Sequence, residues 1–180
     1  MARSAAVPTL STSIPGALLR SGFTLTELTI TMTMMIILLA VGVPAMRHFI
    51  IDTRMSADVN QFVAAAMLAR TEAIKRGRAV VICRSVNAES GAARCATGND
   101  WSSGWIVMVQ SENQVLLRQA ALRRGTTVIG QAKPISYNGL GRPGASFTSL
   151  VFRFDGEFVR TVCINRSGRI RVLVGVDECK

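Results

Sequence analysis

Phe23–Val43 reads FTLTELTITMTMMIILLAVGV, a run of 21 residues that carries one charged side chain, Glu27. As a helix rising about 1.5 Å per residue, this run is long enough to cross roughly 30 Å of hydrocarbon. A cleaved secretory signal is the competing interpretation, because Arg3 and Arg20 precede the run. The apolar core is too long for such a signal, and no A-x-A cleavage site follows it. We therefore predict a membrane-spanning helix over residues 23–43.

Residues 1–22 mix proline, serine, threonine and small residues, and they end in Arg20-Ser21-Gly22. This composition predicts an unstructured leader that is removed by processing. The mature chain would then begin at Phe23.

Beyond Pro44 polar residues return, while apolar residues keep a helical spacing of about 3.6 as far as a helix stop at Gly77. Residues 44–77 are therefore expected to continue the helix as an amphipathic segment that is loosened at Pro44. Its predicted apolar positions are Met55, Val59, Phe62, Ala66, Met67 and Ile74.

Residues 78–180 show the pattern of strands, with short apolar or β-branched runs separated by Gly, Asn, Asp and Ser. The first runs predict strands of a compact sheet: Ala79–Cys83, Trp105–Val109, Val115–Leu117 and Thr126–Ile129. Two hairpins are predicted after them, one about Asp155-Gly156 and one about Asn165–Gly168. The predicted fold class is α+β, a long N-terminal helix packed on a small antiparallel β-sheet domain.

All four cysteines follow the predicted spanning helix, and they would be oxidised if that side of the membrane is the periplasm. Of the three possible pairings we favour the local one, Cys83 with Cys95 and Cys163 with Cys179. Zinc is the alternative, but the chain has no C-x-x-C pair and its one histidine, His48, adjoins the membrane helix. No metal or cofactor is expected.

The formal net charge is +10, and +8 falls on residues 23–180 because the first 22 residues hold two arginines and no acid. Such an excess suggests a polyanionic partner such as nucleic acid or a membrane surface. A soluble domain that is merely basic is the alternative.

The segment Ser21–Leu28, SGFTLTEL, places a glycine before an aromatic residue and a glutamate five positions into the mature chain. A carboxylate inside the membrane costs about 2.5–3.5 kcal/mol, so its presence needs a reason. The segment resembles the type III signal of type IV prepilins and pseudopilins. That resemblance implies that a prepilin peptidase cuts between Gly22 and Phe23 and methylates the new N-terminus. It also implies that Glu27 pairs with a neighbouring subunit's N-terminal amine during assembly. An ordinary membrane anchor with an unrelated glutamate is the alternative, and the leader is longer than most in that family.

Three more segments are similar to the GspH/FimT group of minor pilins and pseudopilins: LARTEAIKRG (68–77), DWSSGWIV (100–107) and the unit from Cys163 to Cys179. This resemblance implies a single-pass protein of the bacterial inner membrane with a periplasmic C-terminal domain. The protein would then enter a pilus or pseudopilus, and could reach the cell surface. Its expected partners there are other pilins or pseudopilins, contacted through the N-terminal helix.

Gly168-Arg169-Ile170-Arg171 matches the G-R-x-R motif through which FimT-like proteins of natural transformation bind DNA. On a strand, Arg169 and Arg171 would share one face about 7 Å apart, with Ile170 and Val172 facing the core. Arg166 in the turn could join them in contacting phosphates without reading bases. The alternative is that alternating arginines only keep an edge strand soluble. Further candidates for the basic patch are Lys133, Arg142, Arg153 and Arg160.

The sequence thus leaves two leading functions open. One is a FimT-type minor pilin that binds extracellular DNA for uptake, and the other is a GspH-like minor pseudopilin of a type II secretion system. An anchored enzyme is a third hypothesis, but we find no catalytic constellation. Gly139–Gly144 satisfies G-x-G-x-x-G, yet a strand is expected after it instead of a helix, which indicates a loop and not a dinucleotide site. Trp101 and Trp105 are predicted to pack in the core.

Overall fold

The computed structural model describes residues 22–144 and 147–179, so the predicted leader up to Ser21 lies outside the described residues. Helix α1 spans Leu25–Arg76 and is followed by eight strands. These are β1 (Val80–Arg84), β2 (Trp105–Val109), β3 (Gln114–Gln119), β4 (Thr126–Ile129), β5 (Ile135–Tyr137), β6 (Phe147–Phe154), β7 (Phe158–Asn165) and β8 (Ile170–Val174). The chain divides into two units, one ending at Val43 and the other beginning at Pro44.

In the first unit α1 begins next to Thr24, whose hydroxyl oxygen accepts a hydrogen bond from the Glu27 N–H at 3.2 Å and caps the helix. Three threonines of the apolar run satisfy their hydroxyls within the helix, by donating to the carbonyl oxygen three residues earlier. Thr29, Thr31 and Thr33 do so at 2.8, 2.9 and 2.9 Å. By length and composition α1 is able to cross a membrane, and none of its most apolar window is buried by the described residues.

In the second unit α1 buries one face: Met55, Val59, Phe62, Ala65, Ala66, Ala69 and Ala73. Four of the predicted apolar positions are therefore confirmed. The prediction is wrong for Met67 and Ile74, which are 56% and 52% exposed. Alanines form most of the buried face instead, because their small side chains let the helix lie close to the strands. The helix ends at Arg76, and Gly77 takes the left-handed cap conformation with a φ of +62°.

The strands form two antiparallel sheets, with the orders β3-β2-β1-β5 and β4-β6-β7-β8. The sequence correctly predicted the bounds of β2 and β4. It was wrong to place β4 with β1–β3, because β4 pairs with β6 in the second sheet. It also missed β5, which has only three residues and pairs with β1. The short runs show that strands exist, but pairing is decided by contacts far apart in the sequence.

The core lies between α1 and the two sheets, and aromatic rings fill its centre. The Phe62 ring centroid lies 6.2 Å from that of Trp101, 5.5 Å from Trp105 and 6.2 Å from Phe152. Trp101 and Trp105 are buried, as predicted. The Trp101 indole N–H donates to the Gln131 carbonyl oxygen at 3.0 Å, so its polar group has a partner.

The loop 138–144 contains the G-x-G-x-x-G sequence, and it is a loop, as predicted. A Cβ on Gly139 would lie 2.7 Å from the Gly77 carbonyl carbon. A Cβ on Gly141 would lie 2.6 Å from Ile74 Cδ1, and Gly141 has a φ of +72°. These glycines allow the loop to pack against the end of α1.

Both predicted hairpins are present, β6–β7 about Asp155-Gly156 and β7–β8 about residues 166–169. The structure has disulfides between Cys83 and Cys95 and between Cys163 and Cys179, the local pairing that the sequence favoured.

Candidate nucleic-acid interface

The turn between β7 and β8 is organised by the side chain of Asn165. Its Oδ1 accepts hydrogen bonds from the Ser167 N–H at 3.1 Å, the Ser167 hydroxyl at 2.7 Å and the Arg169 N–H at 2.9 Å. The Asn165 N–H donates to the Arg169 carbonyl oxygen at 3.1 Å. The backbone of Arg169 is therefore fixed on both sides of its Cα before β8 begins.

Gly168 lies where this turn packs against α1 and the loop 138–144. It has a φ of +77°, and a Cβ there would lie 3.1 Å from the Gly141 carbonyl oxygen and 3.2 Å from the guanidinium carbon of Arg70. Arg70 Nη1 donates to the Gly168 carbonyl oxygen at 3.0 Å. Only glycine suits both the backbone conformation and the space, so the first residue of G-R-x-R has a structural reason.

Arg70 also lies near Tyr137, which is fully buried. Burial raises the pKa of Tyr137 to about 12, and the positive charge of Arg70 opposes the rise. Tyr137 is therefore a neutral phenol at physiological pH. Arg70 forms no salt bridge within the described residues.

Arg171 lies on the outer face of the second sheet, and Arg169 precedes it in the turn. In the β7–β8 register Ile164 is opposite Ile170 and Cys163 is opposite Arg171. Because Ile164 is buried in the core and side chains alternate along a strand, Arg171 shares the outer face with Cys163. Arg169 lies two residues earlier, in the turn that precedes β8, where its backbone is bonded to Asn165. Arg166, Arg169 and Arg171 are all exposed, so the structure places the three predicted arginines on one hairpin.

The predicted inward side of β8 is only partly correct. Ile170 packs against the core. Val172 does not, since it is 40% exposed. The reason is that β8 is the edge strand of its sheet, so no further strand covers the side chains near its end.

Two of the arginines considered for a wider patch are paired with carboxylates. Arg160 Nη2 lies 2.7 Å from Asp52 Oδ1, and Arg153 Nη2 lies 2.9 Å from Asp177 Oδ2. These pairs limit what either arginine can contribute to anion binding. Within residues 22–144 and 147–179, the cations without a salt bridge include the three hairpin arginines, Lys133 and Arg142.

The C-terminal segment folds back over the outer face beside Arg171. The Gly175 N–H donates to the Val159 carbonyl oxygen at 2.8 Å, and the Thr161 hydroxyl donates to the Val176 carbonyl oxygen at 2.5 Å. The disulfide then ties Cys179 to Cys163, the residue opposite Arg171. This path brings Asp177 to Arg153 on the same face, and Glu178, the next residue, is exposed beside the disulfide.

A family model described as "Type II transport protein GspH" matches residues 58–168. The chain belongs to the GspH family. The match ends at Gly168. Arg169 and Arg171 therefore lie outside the matched residues. Among the curated proteins, no sequence matches this chain.

Two solved structures are similar in fold. The type IV minor pilin FimU of Pseudomonas aeruginosa is 16% identical, with 69% of this chain and 92% of that chain covered and a TM-score of 0.53. The minor pseudopilin EpsH from the Type 2 Secretion System of Vibrio cholerae is 13% identical, with 67% and 97% covered and a TM-score of 0.49. The likeness to FimU confirms the predicted fold class, a long N-terminal helix packed on an antiparallel β-sheet domain. Membership in the GspH family makes the chain a pilin or pseudopilin.

The residues assigned to processing and assembly are in the first unit. Gly22, Phe23 and Glu27 are all exposed, and Gly22 and Phe23 directly precede the helix cap at Thr24. Glu27 is the third residue of α1, where the positive end of the helix dipole stabilises a carboxylate. Thr24 and Glu27 therefore have the spacing of a capping box, a local reason for the glutamate beside the predicted role in assembly.

Sequence reasoning missed Asn165 and Arg70 as determinants of this GspH-family site. The signal for Asn165 was present in the sequence. In a hairpin turn, Asn-x-Ser-Gly is typical of an asparagine whose side-chain oxygen accepts hydrogen bonds from backbone N–H groups later in the turn. Arg70 had no local signal. It lies on α1, 98 residues before the carbonyl that it holds.

Proposed function

We propose that this GspH-family chain is a minor type IV pilin that binds extracellular DNA without sequence preference, for uptake in natural transformation. The proposal rests on Arg166, Arg169 and Arg171, which are exposed on one hairpin and form no salt bridge within the described residues. Guanidinium groups without carboxylate partners are suited to phosphate oxygens, which they bind through paired hydrogen bonds.

The rigidity of the hairpin favours such binding. The Asn165 side chain, the bond from Arg70 to the Gly168 carbonyl oxygen and the Cys163–Cys179 disulfide hold its backbone before any ligand arrives. Less conformational entropy is then lost when phosphates are bound. No aromatic side chain lies in the turn segment 166–169 or in β8, so contacts to the backbone of DNA are favoured over base stacking.

The full chain, purified in an uncharged detergent, should retard DNA in a gel. Affinity should fall steeply with salt, because each neutralised phosphate releases counterions. About three to five phosphates would give a slope of roughly −3 to −5 in log K against log salt on duplex DNA.

The decisive variant is Arg169→Gln/Arg171→Gln. It should abolish the gel shift and leave the melting temperature unchanged, because neither side chain forms a salt bridge in the described part of the chain. Arg76→Gln/Arg78→Gln is the matched control, since it removes the same charge from arginines that have acidic partners. Normal DNA binding by the hairpin variant would disprove the role of this motif.

The second candidate is a minor pseudopilin of a type II secretion system, which the description of the matching family favours. Its exposed domain would then bind other pseudopilins or secretion components. In that case the full chain would show no DNA shift at low salt, and it would co-purify with the pseudopilins of its own secretion system. If the chain binds both DNA and pseudopilins, the variant Arg169→Gln/Arg171→Gln separates the two roles. It should lose DNA binding and keep binding to pseudopilins.

The first unit supplies the remaining part of the proposal. We propose that prepilin peptidase cleaves between Gly22 and Phe23, that α1 resides in the inner membrane before assembly, and that Glu27 then pairs with a neighbouring subunit. The apolar helix supports this, because no residue of its most apolar window is buried by the part of the chain that the structure describes. Mass spectrometry after co-expression with the peptidase should find a chain that begins with N-methylated Phe23. Recovery of the intact leader would contradict this part.

A further inference from the structure

A groove of about 840 Å³ lies on the outer face of the first sheet. Its floor includes Val81 and Met108, which are directly opposite each other on β1 and β2. Val80 and Ile82 belong to the main core, so the alternation of side chains places Val81 on the opposite side of the sheet. The groove is therefore separate from the core.

Three cations line this groove: Arg94, Arg118 and Lys133. No carboxylate is among the described residues that line it, and none of the three cations forms a salt bridge within the described ranges. All three are exposed. An apolar floor with a cationic rim is suited to a ligand that carries negative charge along an organic backbone.

One of these cations, Arg118, is held in place. Arg118 Nη1 donates to the carbonyl oxygens of Ala88 and Ser90, at 3.3 and 2.7 Å, which fixes the guanidinium against the loop after β1. The same loop carries Arg94, and the Cys83–Cys95 disulfide closes it. Part of the ordering that anion binding requires is thus already present in the fold.

The groove is connected to the β7–β8 hairpin through one loop. Ser136 lines the groove, and its carbonyl oxygen accepts the Gly144 N–H at 2.8 Å. Gly141, in the same loop, packs against Gly168 of the hairpin turn. Arg142 is exposed between these two contacts. The loop 138–144 therefore joins the groove to the turn that precedes Arg169.

We infer that DNA bound at the hairpin continues over Arg142 into this groove, where Arg94, Arg118 and Lys133 contact its phosphates. This inference rests on the proposed function. It extends the bound length of DNA beyond what one hairpin can contact, and it assigns the groove a ligand with a phosphodiester backbone.

The test uses the full chain in an uncharged detergent and two duplexes. One has about 8 base pairs, about 27 Å at 3.4 Å per pair, and the other has about 30 base pairs. Arg94→Gln/Lys133→Gln should weaken binding of the long duplex about tenfold and make its salt slope shallower by about 2, while binding of the short duplex is unchanged. Lys75→Gln/Arg78→Gln removes the same charges at the end of α1 and should change neither.

Arg118→Gln is the third variant, and it should add to the loss on the long duplex. Because Arg118 also holds the loop after β1, a melting temperature equal to that of the wild type is required before its binding is compared.

Unchanged binding of the long duplex by Arg94→Gln/Lys133→Gln would overturn the inference, and so would an equal loss on both duplexes. The proposed function fails separately, if the wild-type chain binds neither duplex or if Arg169→Gln/Arg171→Gln binds both normally. Binding of polyglutamate that depends on Arg94 and Lys133, with no effect of these residues on the long duplex, would assign the groove to an acidic peptide instead.

Discussion

The arginines at the end of α1 and those on the β7–β8 hairpin have opposite surroundings. Arg76 Nε lies 2.7 Å from Glu72 Oε2, and Arg78 Nη1 lies 3.0 Å from Glu112 Oε1. The hairpin arginines 166, 169 and 171 are exposed and form no salt bridge with any described residue. The first group joins the end of the helix to the first sheet. The second group leaves its charge available to a ligand.

The largest effect is expected at Gly168, the glycine in the turn that carries the hairpin arginines. Gly168→Ala should destabilise the fold by about 2–3 kcal/mol and weaken DNA binding, because the new Cβ meets both a positive φ and close neighbours. Gly156→Ala in the β6–β7 turn is the control, since Gly156 has a φ of +75° but no atom within 4 Å of an added Cβ. Chemical denaturation should show a smaller loss for Gly156→Ala, of about 1 kcal/mol. Equal losses would mean that packing against Gly141 and Arg70 contributes nothing.

An intermediate effect should separate the two groups of arginines directly. Arg76→Gln should lower the free energy of unfolding by up to about 1 kcal/mol and leave DNA affinity unchanged, because the pairs with Glu72 and Glu112 are partly exposed. Arg166→Gln should do the reverse, with no loss of stability and a several-fold loss of affinity at low salt. Denaturation and gel retardation on both variants provide the measurement. A loss of DNA binding in Arg76→Gln would show that the paired arginines and the hairpin arginines do not differ in their contribution to DNA binding.

The smallest effect concerns the acidic residues beside the hairpin. Glu178 is exposed and precedes Cys179, which is disulfide-bonded to Cys163, the residue opposite Arg171. Glu178→Gln should strengthen DNA binding by about twofold at low salt, and the gain should vanish at high salt as screening increases. A fluorescence titration at two salt concentrations measures this. Glu157→Gln is the control, because Glu157 is exposed in the β6–β7 turn, at the opposite end of β7 from the hairpin arginines. It should leave DNA binding unchanged.

What the sequence could predict was local. The apolar first part of α1, the cap at Gly77, the Asp155-Gly156 turn and the hairpin that carries Arg171 all depend on residues close in the chain. Composition and spacing are sufficient for them. The same holds for the two disulfides, each of which closes a short loop.

The remaining features depend on distant contacts. Thr126–Ile129 has the sequence of a strand, but only its pairing with β6 places it in the second sheet. Met67 has helical spacing with the core residues, yet alanines occupy the face that meets the strands. Val172 alternates correctly and is still exposed, because β8 has no neighbour on one side. The contact from Arg70 to Gly168 is likewise invisible to any local pattern.

The disulfide between Cys163 and Cys179 has a mechanical consequence. Strand β8 is an edge strand, and an edge strand can be peeled from its sheet one hydrogen bond at a time when force acts on its side chains. Here β8 lies inside a covalent loop whose ends are 16 residues apart in sequence, and one end is opposite Arg171. Force on Arg171 can therefore extend the chain only until the covalent loop is fully stretched. Beyond that point the disulfide transmits the force to β7. If DNA binds at this hairpin as proposed, tension on it would be borne by two paired strands.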